Sequence, residues 1–300
     1  MTRKLLFMLI AVCTLFSCGG DDPVTDDPIK PEQPENPQDP EKPEKPENQT
    51  KQIKTMTVFS RSGYFVENNL SYDEKNRISL IKSHVKSSYY KGQDVVTDFS
   101  YKNGLIMMET KYNGATDKLE MFLNRQGLVE KIKYAWGGWS TSAESFEYEN
   151  DYLAKQKDVS EDSYVYRYMN GNLTSYSYFE DGIYESVYQI TYTNKENKLG
   201  VSPLHLRKYD KTIDIQFPFE DLNDRYLYYG FFCFYGGLFG KPSKNMEESV
   251  TWGGSPISYE YKFDKDGYPI EITSKYFNRD GEYIPDNEES FTTNIEYWED

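Results

Sequence analysis

The sequence is poor in the residues that most often carry chemistry or staple small secreted folds. Only three cysteines and two histidines occur in 300 residues. Cys13 and Cys18 fall near the start, which leaves Cys233 alone downstream, so no intramolecular disulfide is possible there and stability must come from a core. His84 and His205 lie on apparent strands or loops with no neighbouring Ser or Cys motif, and read as solvated or core side chains. There is no Gly-x-Ser-x-Gly turn, no phosphate-cradling glycine loop and no metal-spaced His/Cys set. Asp264-x-Asp266-Gly267 resembles a fragment of a calcium loop, but Lys275 stands where a bidentate Glu should close it, and a hairpin turn explains it better. Acids are too abundant for a glycosidase pair to be picked out. The expectation is a protein that is not an enzyme and holds no metal or cofactor.

Basic clusters are also scarce. The chain has 34 Lys+Arg against 49 Asp+Glu, a formal charge of −15. Phosphate neutralisation needs a basic surface, so nucleic acid is excluded as a partner.

Long hydrophobic runs are few, and one opens the chain. It follows Arg3 and Lys4 and ends at Leu15-Phe16-Ser17-Cys18, with Gly19-Gly20-Asp21-Asp22 after it. About a dozen apolar residues are too few for a bilayer core of roughly 30 Å, and the layout is that of a lipoprotein signal over 1–17. Cys18 is expected to be the mature N-terminus, its thiol and amine acylated, because stable anchoring takes more than one chain. The acidic pair resembles the surface-export signal of Bacteroidetes-type lipoproteins. That resemblance implies an outer-membrane location, facing the cell exterior.

What is present begins with proline. Gly19–Thr50 holds ten acids and eight of the fourteen prolines, with Val24 and Ile29 as its only large apolar residues. Such a segment cannot build a core; 18–51 reads as a lipidated, disordered tether reaching as far as ~100 Å at about 3 Å per residue. A single β domain is expected over 52–300.

That domain carries a loose repeat in which aromatics alternate with polar residues up to an Asn or Gly turn. Examples are Phe99-x-Tyr101-x-Asn103-Gly104, Tyr164-x-Tyr166-x-Tyr168-x-Asn170-Gly171 and Tyr259-x-Tyr261-x-Phe263-Asp264-x-Asp266-Gly267. Period two broken by turns that need φ > 0 signals hairpins. The units predict an all-β antiparallel meander forming a curled, open or partly closed barrel-like sheet, half solvated, with 28 Tyr and 17 Phe supplying cross-strand pairs.

The unit at 261–272, the Gly237-Leu-x-Gly240-Lys-Pro-Ser-Lys-Asn stretch and the lipobox with its acidic linker resemble lipoproteins carrying domain of unknown function 4595, which are described as porin-like in fold. The resemblance implies a fold and a location, and carries over no catalytic or binding residues. Since the anchor and tether would be redundant on an embedded barrel, a water-soluble sheet is expected rather than a membrane-spanning one.

Two features stand apart from the repeat. Residues 225–241 are apolar or aromatic on every side, which predicts a short helix or loop plug near 221–240 filling the concave face; Phe231, Phe232 and Phe234 could otherwise form a lid over an apolar ligand. Cys233 within it reads as a packed thiol. Trp136-Gly137-Gly138-Trp139 and Trp252-Gly253-Gly254 place flat rings beside hairpin turns, either closing strand ends or stacking on sugar rings. The function expected is a surface binding module for a glycan or envelope protein; the alternative is a carrier of an apolar ligand.

Overall fold

A computed structural model describes residues 51–86, 92–136, 139–157, 162–202, 205, 229–287 and 289–299, with the backbone alone at 134–136, 139–143 and Tyr229. The signal, Cys18 and the tether as far as Thr50 lie outside the described residues, as do 221–228 of the expected plug.

Alternation becomes sheet through hairpin after hairpin. The strands are β1 (Ile53–Ser60), β2 (Phe65–Tyr72), β3 (Ile78–Lys86), β4 (Gln93–Lys102), β5 (Leu105–Tyr112), β6 (Ala115–Leu123), β7 (Val129–Trp136) and β8 (Trp139–Glu149). They continue as β9 (Tyr152–Lys157), β10 (Ser163–Met169), β11 (Asn172–Glu180), β12 (Ile183–Glu196), β13 (Asn245–Trp252), β14 (Ser255–Phe263), β15 (Pro269–Tyr276) and β16 (Phe291–Tyr297). Every strand pairs antiparallel with its neighbours in sequence, and β1 pairs with β16 from Ile53↔Tyr297 to Ser60↔Phe291. The expected meander is therefore a fully closed barrel, and closure removes both sheet edges.

The two faces are sharply divided. On β3, Ile81, Ser83 and Val85 are buried while Lys82, His84 and Lys86 are exposed, and the same alternation recurs round the barrel. Cross-strand ion pairs coat the outside: Lys118–Glu109 at 2.9 Å, Lys111–Asp98 at 3.1 Å and Lys262–Glu271 at 2.8 Å. A lipid-facing barrel wall shows the reverse, an apolar band outside.

The tyrosines of the repeat have a specific task. Near the end of an even-numbered strand, a Tyr hydroxyl donates to a carbonyl near the start of the strand before it: Tyr72 to Ile53, Tyr101 to Ile78, Tyr148 to Val129, Tyr192 to Leu173, Tyr261 to Glu247 and Tyr297 to Pro269, all at 2.6–2.8 Å. Each bond satisfies a carbonyl where the ladder ends, and together they pin the strands of six hairpins at one end of the barrel.

That end also holds the chain's entry and exit, where Trp298 N–H donates to the Gln52 carbonyl at 2.8 Å, and it is the end that is plugged. Helix α1 (Tyr229–Tyr235) and the turn after it, which makes an isolated bridge from Gly240 to Tyr152, pack against this end. Val129 N–H donates to Leu238 O, Lys241 N–H to Asp151 O, and Lys244 N–H to Gly171 O, at 2.8–2.9 Å. Phe231, Phe232 and Phe239 are buried to within 1 %. Gly240 is obligatory here: its φ is +90°, and a Cβ would lie 2.3 Å from the Asp151 carbonyl oxygen.

Candidate functional site

Counting hairpins from β1, the turns after odd-numbered strands all lie at the end away from the plug. Five of the eight large exposed apolar side chains among the described residues gather there: Phe59, Ile183, Tyr184, Trp252 and Tyr283. Four of these are aromatic and fall one to each of four consecutive hairpins, β11–β12, β13–β14, β15–β16 and β1–β2. Adjacent strands are about 5 Å apart, so successive rings are spaced by roughly 10 Å along this half of the rim.

Most of these rings are held by a second ring. Phe179 faces Tyr184 across β11–β12 at 5.9 Å and Phe277 faces Tyr283 at 5.7 Å. Phe59 is registered opposite Phe65, which meets His84 edge-on at 6.5 Å. The exposed surface is thus preorganised, since each ring loses little freedom on contact.

Trp252 differs in being rooted in the interior. A band of inward-facing side chains climbs across six consecutive strands, one residue from each. Gln156 Nε2 donates to buried Glu144 at 2.7 Å, and the Tyr166 hydroxyl donates to Gln156 Oε1 at 3.3 Å. Tyr166 and Tyr176 lie 6.2 Å apart, Tyr176 and Tyr188 stack at 4.2 Å, and Tyr188 stacks on Trp252 at 5.7 Å with planes 9° apart. The register Tyr166↔Tyr176, Tyr176↔Tyr188, Tyr188↔Trp252 produces it, because directly opposed residues share a face. The band ends at a ring that is 51 % exposed.

The other residues singled out in the sequence fall as follows. The backbone sets Trp136 opposite Trp139 at the same open end; their side chains lie outside the described residues. Phe231 and Phe232 are core, and Phe234, half-buried, stacks on His205 at 3.9 Å, so the plug segment and the tryptophans occupy opposite ends. Burial pushes the Cys233 thiol up to about 12, leaving it protonated at neutral pH. His84 contacts Asp94 at 2.7 Å on the outer wall. Asp264 Oδ1 accepts from Asp266 N and Tyr268 N within its own turn, while its other oxygen and Asp266 bind Lys51 Nζ. Among the described residues no group of three His, Cys, Asp or Glu could hold a metal. Tyr184, Tyr283 and Phe59 were not singled out; their position within four residues of a turn was the available signal.

No family model matches the chain, and no curated protein matches it. Among solved structures it is similar to a porin-like protein from Bacteroides uniformis ATCC 8492, with a TM-score of 0.62 at 13 % identity, covering 82 % of this chain and 98 % of that one. A porin-like protein from Bacteroides vulgatus ATCC 8482 matches with a TM-score of 0.47 at 13 % identity, over 82 % of this chain and 98 % of that one. The fold is thus porin-like.

Proposed function

We propose that this chain is a cell-envelope lipoprotein, of the type carrying domain of unknown function 4595, which works without catalysis as a surface binding module for a glycan or protein partner. The observation that carries this reading is the aromatic rim at the end opposite the chain's entry. A tether attached at Lys51 would hold the plugged end toward the membrane and present the rim outward. The charged outer wall supports a barrel standing in water, anchored to the outer membrane by lipid at Cys18 and facing the exterior. The porin-like neighbours from Bacteroides fit an outer-membrane association. Tyr, Trp and Phe clusters are the usual anchors of binding surfaces. The apolar-carrier alternative draws less support, because Phe231, Phe232 and Phe239 of the plug are packed to within 1 % exposure.

A photoreactive residue at position 252 in living cells tests the binding reading. It should cross-link to an envelope component or glycan, while one at Asn294 on the outer wall should not. Equal labelling at both sites sinks the binding surface. Labelled palmitate should enter the wild type and not Cys18→Ala; label in the variant sinks the anchor.

A further inference from the structure

Resting on the reading of the rim as a binding surface, we propose that its occupant is a basic segment of a protein, lysine- or arginine-bearing, with each cation seated between a rim ring and a rim carboxylate. Exposed acids flank two of the four exposed rings: Asp181 and Glu185 beside Tyr184, Asp280 and Glu282 beside Tyr283. At the open-end turns of the four hairpins the exposed bases among the described residues are Arg61 and Arg279, while the exposed Lys54, Lys195 and Lys262 sit toward the plugged end of their strands. An aromatic face attracts a cation, and a carboxylate within reach makes the contact directional.

The barrel already uses this chemistry on itself. At the plugged end the hairpin Asp264-Lys-Asp266-Gly-Tyr268 grips Lys51, whose Nζ is 2.7 Å from Asp264, 2.6 Å from Asp266 and 5.1 Å from the Tyr268 ring. Arg77 is held by Asp73 with its guanidinium 3.9 Å above Tyr101. The β15–β16 loop repeats the turn, since Asn278 Oδ1 accepts from Asp280 N and Glu282 N as Asp264 does from Asp266 N and Tyr268 N, with Tyr283 next in sequence. There the acids and ring face outward, and no lysine of this chain is seated among them in the described residues. A chain of formal charge −15 also draws a basic partner in and repels an acidic one.

The test uses the full chain in a non-ionic detergent and three labelled peptides of equal length, rich in Lys/Arg, in Glu, and in Ser/Gly, together with neutral dextran. The basic peptide should bind and the other three probes should not. Tyr184→Ala and Tyr283→Ala should each weaken it at least about fivefold, Tyr283→Phe should keep it, and the wall variants Glu147→Gln and Glu296→Gln should leave it unchanged. If wall and rim variants weaken it alike, diffuse charge is the cause and the proposal falls. Dextran binding that is lost in Trp252→Ala, without peptide binding, would keep the rim as a binding surface but overturn the basic partner. Absence of basic-peptide binding overturns the proposal outright, while position 252 cross-linking still reports separately on the rim.

Discussion

Tyr188 and Trp252 lie ring on ring across β12 and β13, 5.7 Å apart and 9° from parallel, yet one is 4 % exposed and the other 51 %. The pair joins the packed interior to the open rim, so its two members should answer truncation in opposite ways. Tyr188→Ala should cost about 3–5 kcal/mol in urea unfolding, as for other large aromatics removed from cores. Trp252→Ala should cost no more than about 1.5 kcal/mol, the worth of an aromatic pair, while abolishing cross-linking or binding at the rim. Equal destabilisation would make Trp252 a core residue.

The plug supplies a second contrast. Phe231→Ala and Phe232→Ala should each lose about 3–5 kcal/mol, whereas half-buried Phe234→Ala should lose less. A carrier would instead keep its stability on truncation of these rings and shed a bound lipid in native mass spectrometry.

Much of this fold was legible residue by residue. Tyr261-x-Phe263-Asp264-x-Asp266-Gly267 spelled a hairpin, and it is one; residues 225–241, apolar on every side, spelled burial, and Phe231, Phe232, Cys233 and Tyr235 of α1 are buried. Closure was not legible, because β1 meets β16 through residues more than 200 apart and a strand's alternation is the same at an edge as inside a sheet. The rim was only partly legible. Trp252 was marked by its Gly-Gly turn, but Tyr184 beside Asp181-Gly182 looks like any tyrosine beside a turn. What distinguishes it is the end of the barrel it reaches: six tyrosines at the plugged end send hydroxyls to backbone carbonyls, whereas Tyr184 at the far end is exposed.

Gly240 tests how the plug is seated. A methyl group there would meet the Asp151 carbonyl at 2.3 Å, and that carbonyl cannot retreat without losing its bond from Lys241 N–H at 2.8 Å. Gly240→Ala should therefore cost more than about 3 kcal/mol, combining backbone strain with a clash. Gly114→Ala, with φ of +79° but nothing within 4 Å, should cost only the strain, about 1 kcal/mol. Similar losses at the two sites, read by thermal unfolding, would mean the plug shifts freely.

The junction with the tether should carry its own pH signature. Hydrogen bonds to Asp264 and Asp266 hold the Lys51 amine above its ordinary value of 10.5. Burial pushes Asp264 upward, but the Lys51 contact and the N–H groups of Tyr268 and Asp266 outweigh it and keep the carboxyl below 3.8. An acid with a depressed folded value contributes stability above its unfolded value and loses it as pH falls through the folded one; a raised amine contributes below its unfolded value and loses it as pH rises past the folded one. Both contributions are intact at neutral pH, and the acid side is the accessible one. Asp264→Asn keeps an oxygen for Asp266 N and Tyr268 N, so it removes the charge and spares the turn. The melting temperature of the wild type should exceed that of Asp264→Asn at pH 7, and the gap should close as pH falls below about 4. A gap that persists unchanged at the most acid pH where the barrel stays folded would mean that the carboxylate's charge does not secure Lys51.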